Sequence, residues 1–236
     1  MNGEPYYFTL GVPDAERGAS FYSQLFGWEL DHGHITNLAL CGGVAGPEWG
    51  VGPKLYLGFD DVAAGVARVR ELGGTATEPA VVASGEYTDC TDDQGTRFSL
   101  GWTHPEMEDD QIAGLKGRTE PRAVLGYLTI GVPDVDRAVA FYAGLLGWEA
   151  EAAAPNRPWT YRHVTSTELP LGFTDHVVDP QLQLYFRVDD GPTMAADVSR
   201  LGGFAGDPDH GENGYSVSCH DDQGTPFSLW QPAPGL

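Results

Sequence analysis

The chain has 236 residues, of which 41% are hydrophobic and 20% are charged, and its formal net charge at pH 7 is −21. This composition is typical of a soluble globular protein long enough for two domains. The excess of acidic groups argues against a nucleic-acid partner, because phosphates would be repelled, whereas cationic compounds would be attracted.

The sequence also argues against a membrane or secreted protein. No apolar run approaches the roughly 18 residues that a membrane-spanning helix needs, and the N-terminal residues lack the basic and apolar regions of a signal peptide. Cys41, Cys90 and Cys219 are too few for a disulfide framework, and Cys90 and Cys219 stand at equivalent places of a repeat, as expected of small buried residues. We therefore predict a cytoplasmic protein with reduced thiols and no membrane partner.

The first predicted elements are a strand and a helix. In YFTLGVPD (7–14) apolar residues occupy every second position, which is the period of a half-buried strand. Asp14 is suited to cap the following helix, in which Phe21, Tyr22, Leu25 and Phe26 recur at helical spacing. Gly27 then ends the helix.

Short strand-like runs follow, around WELDH and ITNLALC. They contain His32 and His34, which lie in the loop or strand after the first helix, and a His-x-His pair on a strand turns both rings to one face, as in some zinc sites. Because the sequence shows no third ligand beside them, we prefer a solvent-exposed strand edge. The next segment, KLYLGFDDVAAGVARVRELGG, predicts a strand and a second helix, and EYTDC and RFSLGW predict two strands joined by the turn-forming TDDQGT.

The same order of elements returns in the second half of the chain. Residues 7–28 align with 127–148 at an offset of 120, and DDQGTRFSL at 92–100 returns as DDQGTPFSL at an offset of 129, so the second copy has gained nine residues. Between the copies lies a charged stretch that contains Pro and Gly. We predict two domains, 1–103 and 125–236, joined by a linker at 104–124.

Each copy contains a βαβββ unit twice. The motif VPD…FY…GW opens the first unit, DD…LGG opens the second, and DDQGTxFSL closes the copy. This pattern resembles the vicinal oxygen chelate superfamily. This superfamily includes glyoxalase I, extradiol dioxygenases, fosfomycin-resistance enzymes and bleomycin-binding resistance proteins. The resemblance covers nearly the whole chain and is greatest to the tandem two-domain glyoxalase-like subgroup of actinobacterial type. It implies an α+β fold of two tandem domains, each a pair of βαβββ modules forming a cupped mixed sheet, and a monomer that is an internal pseudo-dimer.

The resemblance also implies where the metal-using branches hold their metal. Each copy would supply a His on its first strand, a His or Glu ahead of its second helix, and a Glu on its last strand. In this chain those positions carry Tyr7, Lys54 and Ser99 in copy one, and Tyr127, Gln183 and Ser228 in copy two. None of these residue types routinely binds a divalent cation, and Lys54 would place a positive charge at the metal position. We therefore expect no metal and no cofactor.

Strand alternation places further side chains on the same face as those six positions. Aromatic rings can stack on a planar ligand and polar groups can orient it, although the rings could instead simply fill the concave face. The longer segment NRPWTYRHV (156–164) of copy two adds further rings, as a lid or as a longer hairpin. The predicted ligand-binding residues are Tyr7, Lys54, Tyr56, Arg97 and Ser99 in copy one; Tyr127, Gln183, Tyr185, Arg187, Ser228 and Trp230 in copy two; and Trp159, Tyr161 and His163 in the added segment.

These residues predict a metal-independent binding protein that sequesters a planar aromatic natural product or antibiotic, including cationic ones, in resistance or secondary metabolism. The alternative is a metal-independent enzyme, such as a cyclase, isomerase or hydroxylase-type accessory, in which Lys54 with a tyrosine, or His163, would transfer protons. An interaction module with filled cavities is a third interpretation. No catalytic residue is identified, because neither Ser99 nor Ser228 lies in a nucleophile-elbow motif. Gly101 stands where copy two has Trp230, so the two cavities are expected to bind differently.

Overall fold

The computed structural model describes residues 3–103, 113–153, 158–176 and 181–235. Within those residues its strands form two mixed sheets of nine and eight strands, and four α-helices have both of their ends described. The predicted α+β class with mixed sheets is thereby confirmed. The longest of these helices have twelve residues, and none of the described helices is long and apolar enough to cross a membrane.

The elements follow one another in the same order in both copies. Copy one contains β1 (Pro5–Gly11), α1 (Ala15–Phe26), β2 (Leu30–Asp31), β3 (His34–Ile35), β4 (Cys41–Ala45), a 3₁₀ turn (Pro47–Trp49), β5 (Gly52–Gly58), α2 (Val62–Glu71), β6 (Thr75–Ala76), β7 (Ala80–Val82), β8 (Gly85–Thr91) and β9 (Arg97–Thr103). Copy two contains β10 (Ala123–Gly131), α3 (Val135–Leu146), β11 (Tyr161–Val164), β12 (Leu171–Thr174), β13 (Gln181–Val188), α4 (Gly191–Arg200), β14 (Phe204–Ala205), β15 (Asp209–Gly211), β16 (Gly214–His220) and β17 (Pro226–Pro232).

The chain divides into two compact units, and each unit takes segments from both copies. Unit 1 comprises Met1–Tyr7, Lys54–Glu108 and Leu128–Leu182, and unit 2 comprises Phe8–Pro53, Asp109–Tyr127 and Gln183–Leu236. The domains 1–103 and 125–236 with their linker at 104–124 describe the sequence repeat and stay a prediction. Residues 104–112 of that linker lie outside the described part of the chain.

In unit 1, strand β9 pairs in parallel with β5 and antiparallel with β8, and β6 and β7 both pair with β8. Strand β12 pairs in parallel with β10 and antiparallel with β11. Alternation along β5 places Leu55 and Leu57 in the core, where both are 1% exposed. Lys54 and Tyr56 therefore share the opposite face, as predicted.

Unit 2 repeats this pattern with β17 between β13 and β16, and with β14 and β15 paired to β16. Its strands β2 and β3 form a hairpin whose two turn residues, His32 and Gly33, have φ of 47° and 85°. Positive φ at both central residues is the conformation that two-residue hairpins favour. His32 and His34 therefore do not lie on one strand, because the turn separates them, but both residues are exposed, in line with the preferred interpretation of a solvent-exposed edge.

All four helices begin at an aspartate, because a carboxylate in extended backbone can accept the first free N–H groups of a helix. Asp14, Asp61, Asp134 and Asp190 each accept a hydrogen bond from the backbone N–H three residues later. Such a cap is worth about 1 kcal/mol. The helix starts predicted from VPD and DD are confirmed.

Each unit has an aromatic core beneath its helices. In unit 2, Tyr22 stacks on Trp28 with ring centroids 5.6 Å apart, and in unit 1 the equivalent Tyr142 stacks on Trp148 at 5.2 Å. Both tyrosines are at most 1% exposed. Cys90 and Cys219 are also buried, as predicted, and all three cysteines are free.

The DDQGT turn of each copy binds the first helix of the other copy within the same unit. In unit 1, the Gln94 amide exchanges two hydrogen bonds of 2.9 Å with the backbone of Asp134, the N-cap of α3. Asp93 forms an ion pair with Arg137, and Asp92 accepts a hydrogen bond from the Tyr142 hydroxyl. The repeated turn therefore has a structural role that the sequence analysis did not assign.

Unit 2 carries the same set of contacts from its own copy of the turn. Gln223 bonds the backbone of Asp14, and Asp221 accepts the hydroxyl of Tyr22 at 3.1 Å. Asp222 forms the ion pair, with Arg17, at 2.5 Å. Because each turn reaches a helix of the other copy, the motif explains why both units contain segments of both copies.

Candidate functional site

Unit 1 brings together seven side chains that we call cluster 1: Tyr6, Tyr7, Lys54, Tyr56, Tyr87, Asp89 and Ser99. Its polar part is organised by one carboxylate oxygen. The Lys54 Nζ lies 3.0 Å from Asp89 Oδ1, and Ser99 Oγ donates to the same oxygen at 2.7 Å. Sheet register produces this arrangement, because Ser99 on β9 pairs with Tyr56 on β5 and with Asp89 on β8. The Lys54 side chain is 13% exposed and the Asp89 side chain is 48% exposed, so the ammonium group is shielded from water while the carboxylate is half open to it.

The aromatic part of cluster 1 surrounds the ring of Tyr56. The centroids of Tyr7, Tyr87 and Tyr6 lie 5.4, 6.1 and 6.2 Å from it, all edge-on. The ammonium of Lys54 lies 5.3 Å from the same centroid, within the range of a cation–π contact. These contacts tie the charged and the aromatic parts of the cluster together.

Two phenols of cluster 1 have perturbed acidity. Burial, with a smaller contribution from Tyr56, raises the pKa of Tyr6, and burial followed by the nearby Asp89 carboxylate raises the pKa of Tyr87. Both phenols therefore remain protonated at neutral pH. They are suited to donating hydrogen bonds rather than to removing protons.

Unit 2 contains the equivalent cluster 2: Tyr127, Gln183, Tyr185, Ser218, Ser228 and Trp230. Gln183 Nε2 donates to Ser228 Oγ at 2.8 Å and to Ser218 Oγ at 3.2 Å. The three residues stand where copy one has Lys54, Ser99 and Asp89. The charged network of cluster 1 is thus replaced by a neutral one in cluster 2.

The rings of cluster 2 lie beside this neutral network. Tyr127 is 5.6 Å from Tyr185 and 6.2 Å from Trp230 between centroids. The indole N–H of Trp230 donates to the backbone oxygen of Asn213 at 2.9 Å, which fixes the orientation of the ring. All three rings are half-buried, so part of each surface remains open to a ligand.

The remaining predicted residues lie elsewhere. Arg97 is exposed at the start of β9, where its strand partner is Thr91, not Asp89. Arg187 is exposed near the end of β13, where its strand partner is Trp230 of cluster 2. Arg97 therefore lies at the margin of cluster 1, whereas Arg187 lies directly beside a ring of cluster 2.

The aromatic residues of the added segment belong to unit 1, whereas cluster 2 belongs to unit 2. Tyr161 lies over Gly172, where a Cβ atom would come within 2.4 Å of its hydroxyl oxygen. Trp159 is exposed, with its ring 4.7 Å from that of His176, and His163 pairs with Gly172 in the strand register. Residues 156 and 157 of this segment lie outside the described residues.

Four residues of the clusters were not predicted from the sequence: Tyr6, Tyr87, Asp89 and Ser218. Strand alternation alone excluded Tyr6, because it neighbours Tyr7, yet both rings contact Tyr56. The other three were detectable, since antiparallel pairing of EYTDC with RFSLGW places Asp89 opposite Ser99.

The donor sets of both clusters fit a divalent cation poorly. In cluster 1 the single carboxylate already binds an ammonium and a hydroxyl group, and in cluster 2 the polar side chains are uncharged. Divalent cations in proteins are bound by imidazole, carboxylate or thiolate groups. In the ranges that the structure describes, no group of three or more His, Cys, Asp or Glu side chains is arranged to hold a metal ion.

Comparisons with known proteins agree with this architecture. Residues 127–230 match the family model of a glyoxalase-like domain. The chain is 26% identical to the "Putative glyoxylase CFP32" of Mycobacterium tuberculosis, over 98% of this chain and 96% of that protein. It is 25% identical to the anthracycline biosynthesis protein DnrV of Streptomyces peucetius, over 96% of this chain and 92% of that protein.

Solved structures similar to this chain include the 2,3-dioxygenase LapB from Pseudomonas sp. KL28, at a TM-score of 0.61 and 14% identity over 100% of this chain and 96% of LapB. The Mn(II)-bound glyoxalase from Novosphingobium aromaticivorans superimposes with a TM-score of 0.63 at 16% identity, over 97% of this chain and 81% of that one. At such identities the likeness shows the fold alone. The chain therefore has the fold of these dioxygenase and glyoxalase structures, and its residues 127–230 match a glyoxalase-like domain.

Proposed function

We propose that the chain is a metal-independent binding protein that holds a planar aromatic natural product of the anthracycline kind in cluster 2. The observation that carries the proposal is the composition of that cluster. Three half-buried rings lie beside an uncharged Gln183, Ser218 and Ser228 network. Rings of this kind stack on flat ligands, and neutral amide and hydroxyl groups can bind keto and phenolic oxygens without a large desolvation cost.

Two further observations support this class of ligand. A relative that matches along almost the whole chain is named for anthracycline biosynthesis. Anthracyclines are flat ring systems that carry a cationic amino sugar, and a chain with a formal charge of −21 would attract such a cation. Binding in secondary metabolism or resistance accounts for both observations.

The alternative of a metal-independent enzyme is favoured by one observation in cluster 1. Lys54, Asp89 and Ser99 form a connected set of proton donors and acceptors, in which Lys54 and Ser99 are shielded from water and Asp89 is half-exposed. Such a set could transfer a proton to or from a ligand oxygen. Cluster 2 has no titratable carboxylate, amine or imidazole in its network, so binding is the simpler function for that cluster.

The proposal is tested by titrating daunorubicin, whose own fluorescence reports binding, with the wild-type chain and with Trp230→Ala. Loss of an aromatic anchor should weaken binding by about 10- to 100-fold. Trp49→Ala is the matched control, because Trp49 is 42% exposed and lies in the Pro47–Trp49 turn, outside both clusters. Equal affinity of the wild-type and Trp230→Ala proteins would contradict the assignment, and a changed mass of the recovered ligand would favour the enzyme.

A further inference from the structure

Clusters 1 and 2 differ by an exchange of side-chain size at two equivalent positions. Tyr6 of copy one corresponds to Gly126 of copy two, and Gly101 corresponds to Trp230. The large residue is thus on the first strand in cluster 1 and on the last strand in cluster 2. In each cluster a glycine stands at the other position.

In cluster 1 the hydroxyphenyl group of Tyr6 fills the space next to its glycine. A Cβ atom at Gly101 would lie 2.8 Å from Tyr6 Oη and 2.4 Å from the backbone oxygen of Glu86. Position 101 therefore accepts no side chain without backbone movement. The central ring of this cluster, Tyr56, is only 7% exposed. Tyr6 thus helps to close cluster 1.

In cluster 2 the space above the glycine is bounded by an indole. A Cβ atom at Gly126 would lie 2.9 Å from the Cβ of Arg187 and 3.5 and 3.6 Å from Cζ3 and Cε3 of Trp230, so the glycine is bordered by both side chains. Tyr185, the equivalent of Tyr56, is half-buried and not fully buried. Ser216 stands where cluster 1 has Tyr87, so a second wall of cluster 2 is also smaller. Cluster 2 is consequently the more open of the two.

We infer that this exchange determines where a flat polycyclic ligand binds: cluster 2 accepts it against Trp230, and Tyr6 excludes it from cluster 1. The inference deepens the proposed function, on which it rests for the natural ligand. It requires one ligand per chain, although the sequence is duplicated. It also requires that removal of the Tyr6 side chain creates a second site bounded by Tyr7, Tyr56 and Tyr87.

The test uses 2-naphthol, a flat two-ring phenol, and measures stoichiometry by equilibrium dialysis. The wild-type chain should bind one molecule, and Tyr6→Gly should bind two, the second about 10-fold more weakly because cluster 1 has no tryptophan anchor. Glycine is the residue that copy two carries at this position, so the strand should tolerate it. Tyr6→Phe is the matched control, since it keeps the ring and should bind one molecule.

A double variant identifies which site is new. Tyr6→Gly with Trp230→Ala should retain the weaker site at unchanged affinity and lose about 10- to 100-fold at the stronger one. Two equal sites in the wild-type chain, or a single site in a Tyr6→Gly chain with wild-type circular dichroism, would overturn the inference. If Tyr6→Gly does not fold, Tyr6→Ala serves the same test. Failure of daunorubicin to bind while the 2-naphthol pattern holds would overturn the proposed function alone.

Discussion

Replacing Asp92 with alanine should destabilise the protein by about 2–6 kcal/mol, because this carboxylate organises the DDQGT turn and satisfies a buried phenol. Asp92 is 4% exposed, and its Oδ1 accepts the backbone N–H groups of Gln94 at 2.9 Å and Thr96 at 2.8 Å. Its Oδ2 accepts the hydroxyl of Tyr142, which is 1% exposed. A hydrogen bond to a charged group contributes about 1.5–3 kcal/mol, and a buried group left without a partner costs about 1–3 kcal/mol.

The estimate follows from what each donor can do after the substitution. The N–H of Gln94 is near the surface and can bind water, so it adds little. The N–H of Thr96 and the hydroxyl of Tyr142 are buried, and each would lose its acceptor. Two buried donors at about 1–3 kcal/mol each give the stated range. Asp92→Asn keeps an acceptor and should cost less than half as much.

Urea denaturation followed by circular dichroism measures the loss. Asp221→Ala is the equivalent change in unit 2, where the same bonds are 2.9, 2.8 and 3.1 Å long, so it should cost a similar amount. Glu71→Ala removes only an exposed ion pair with Arg68 and should change stability by about 0.5 kcal/mol at most. A loss below about 1 kcal/mol for Asp92→Ala, in the range of surface substitutions, would refute the reasoning.

Two further predictions concern titratable groups. Burial raises the pKa of the Cys90 and Cys219 thiols to about 12. A Cys41→Ser chain should therefore not react with a thiol reagent at pH 8 until it is unfolded. Rapid labelling of two thiols in the folded chain would contradict this. The hydrogen bond from Arg122 lowers the pKa of Asp197 in the folded chain below its value in the unfolded chain. The ionised Asp197 therefore stabilises the fold above the unfolded-state pKa, and this contribution is lost as the pH falls through the folded-state pKa. Asp197→Asn should therefore reduce the fall in stability on acidification in urea titrations, and an unchanged slope would exclude that contribution.

The local features of the fold could be predicted from the sequence because they depend on neighbouring residues. Asp14 and Asp134 cap helices through N–H groups three residues away, and Gly27 and Gly147 end them in the left-handed conformation that glycine favours. The two copies were identified from the same motifs. His32 and His34 do not share a strand because a two-residue turn can interrupt an apparent strand without proline or a long loop.

The long-range features could not be predicted, since they depend on contacts between distant segments. Gln94 bonds the backbone of a residue 40 positions away, and Gln223 bonds one 209 positions away. Residue type alone does not indicate these partners. Cluster membership was predicted where alternation holds, as for Lys54 and Tyr56, and was missed at Tyr6, where two successive rings contact the same neighbour.

The most direct test of the proposed function is equilibrium binding of daunorubicin to the wild-type chain in the presence of a metal chelator, followed by mass analysis of the recovered compound. The structure of cluster 2 predicts saturable binding at micromolar concentration or below, one molecule per chain, and an unaltered mass. Binding that disappears on chelation, or a compound recovered with a new mass, would contradict a metal-independent binding protein.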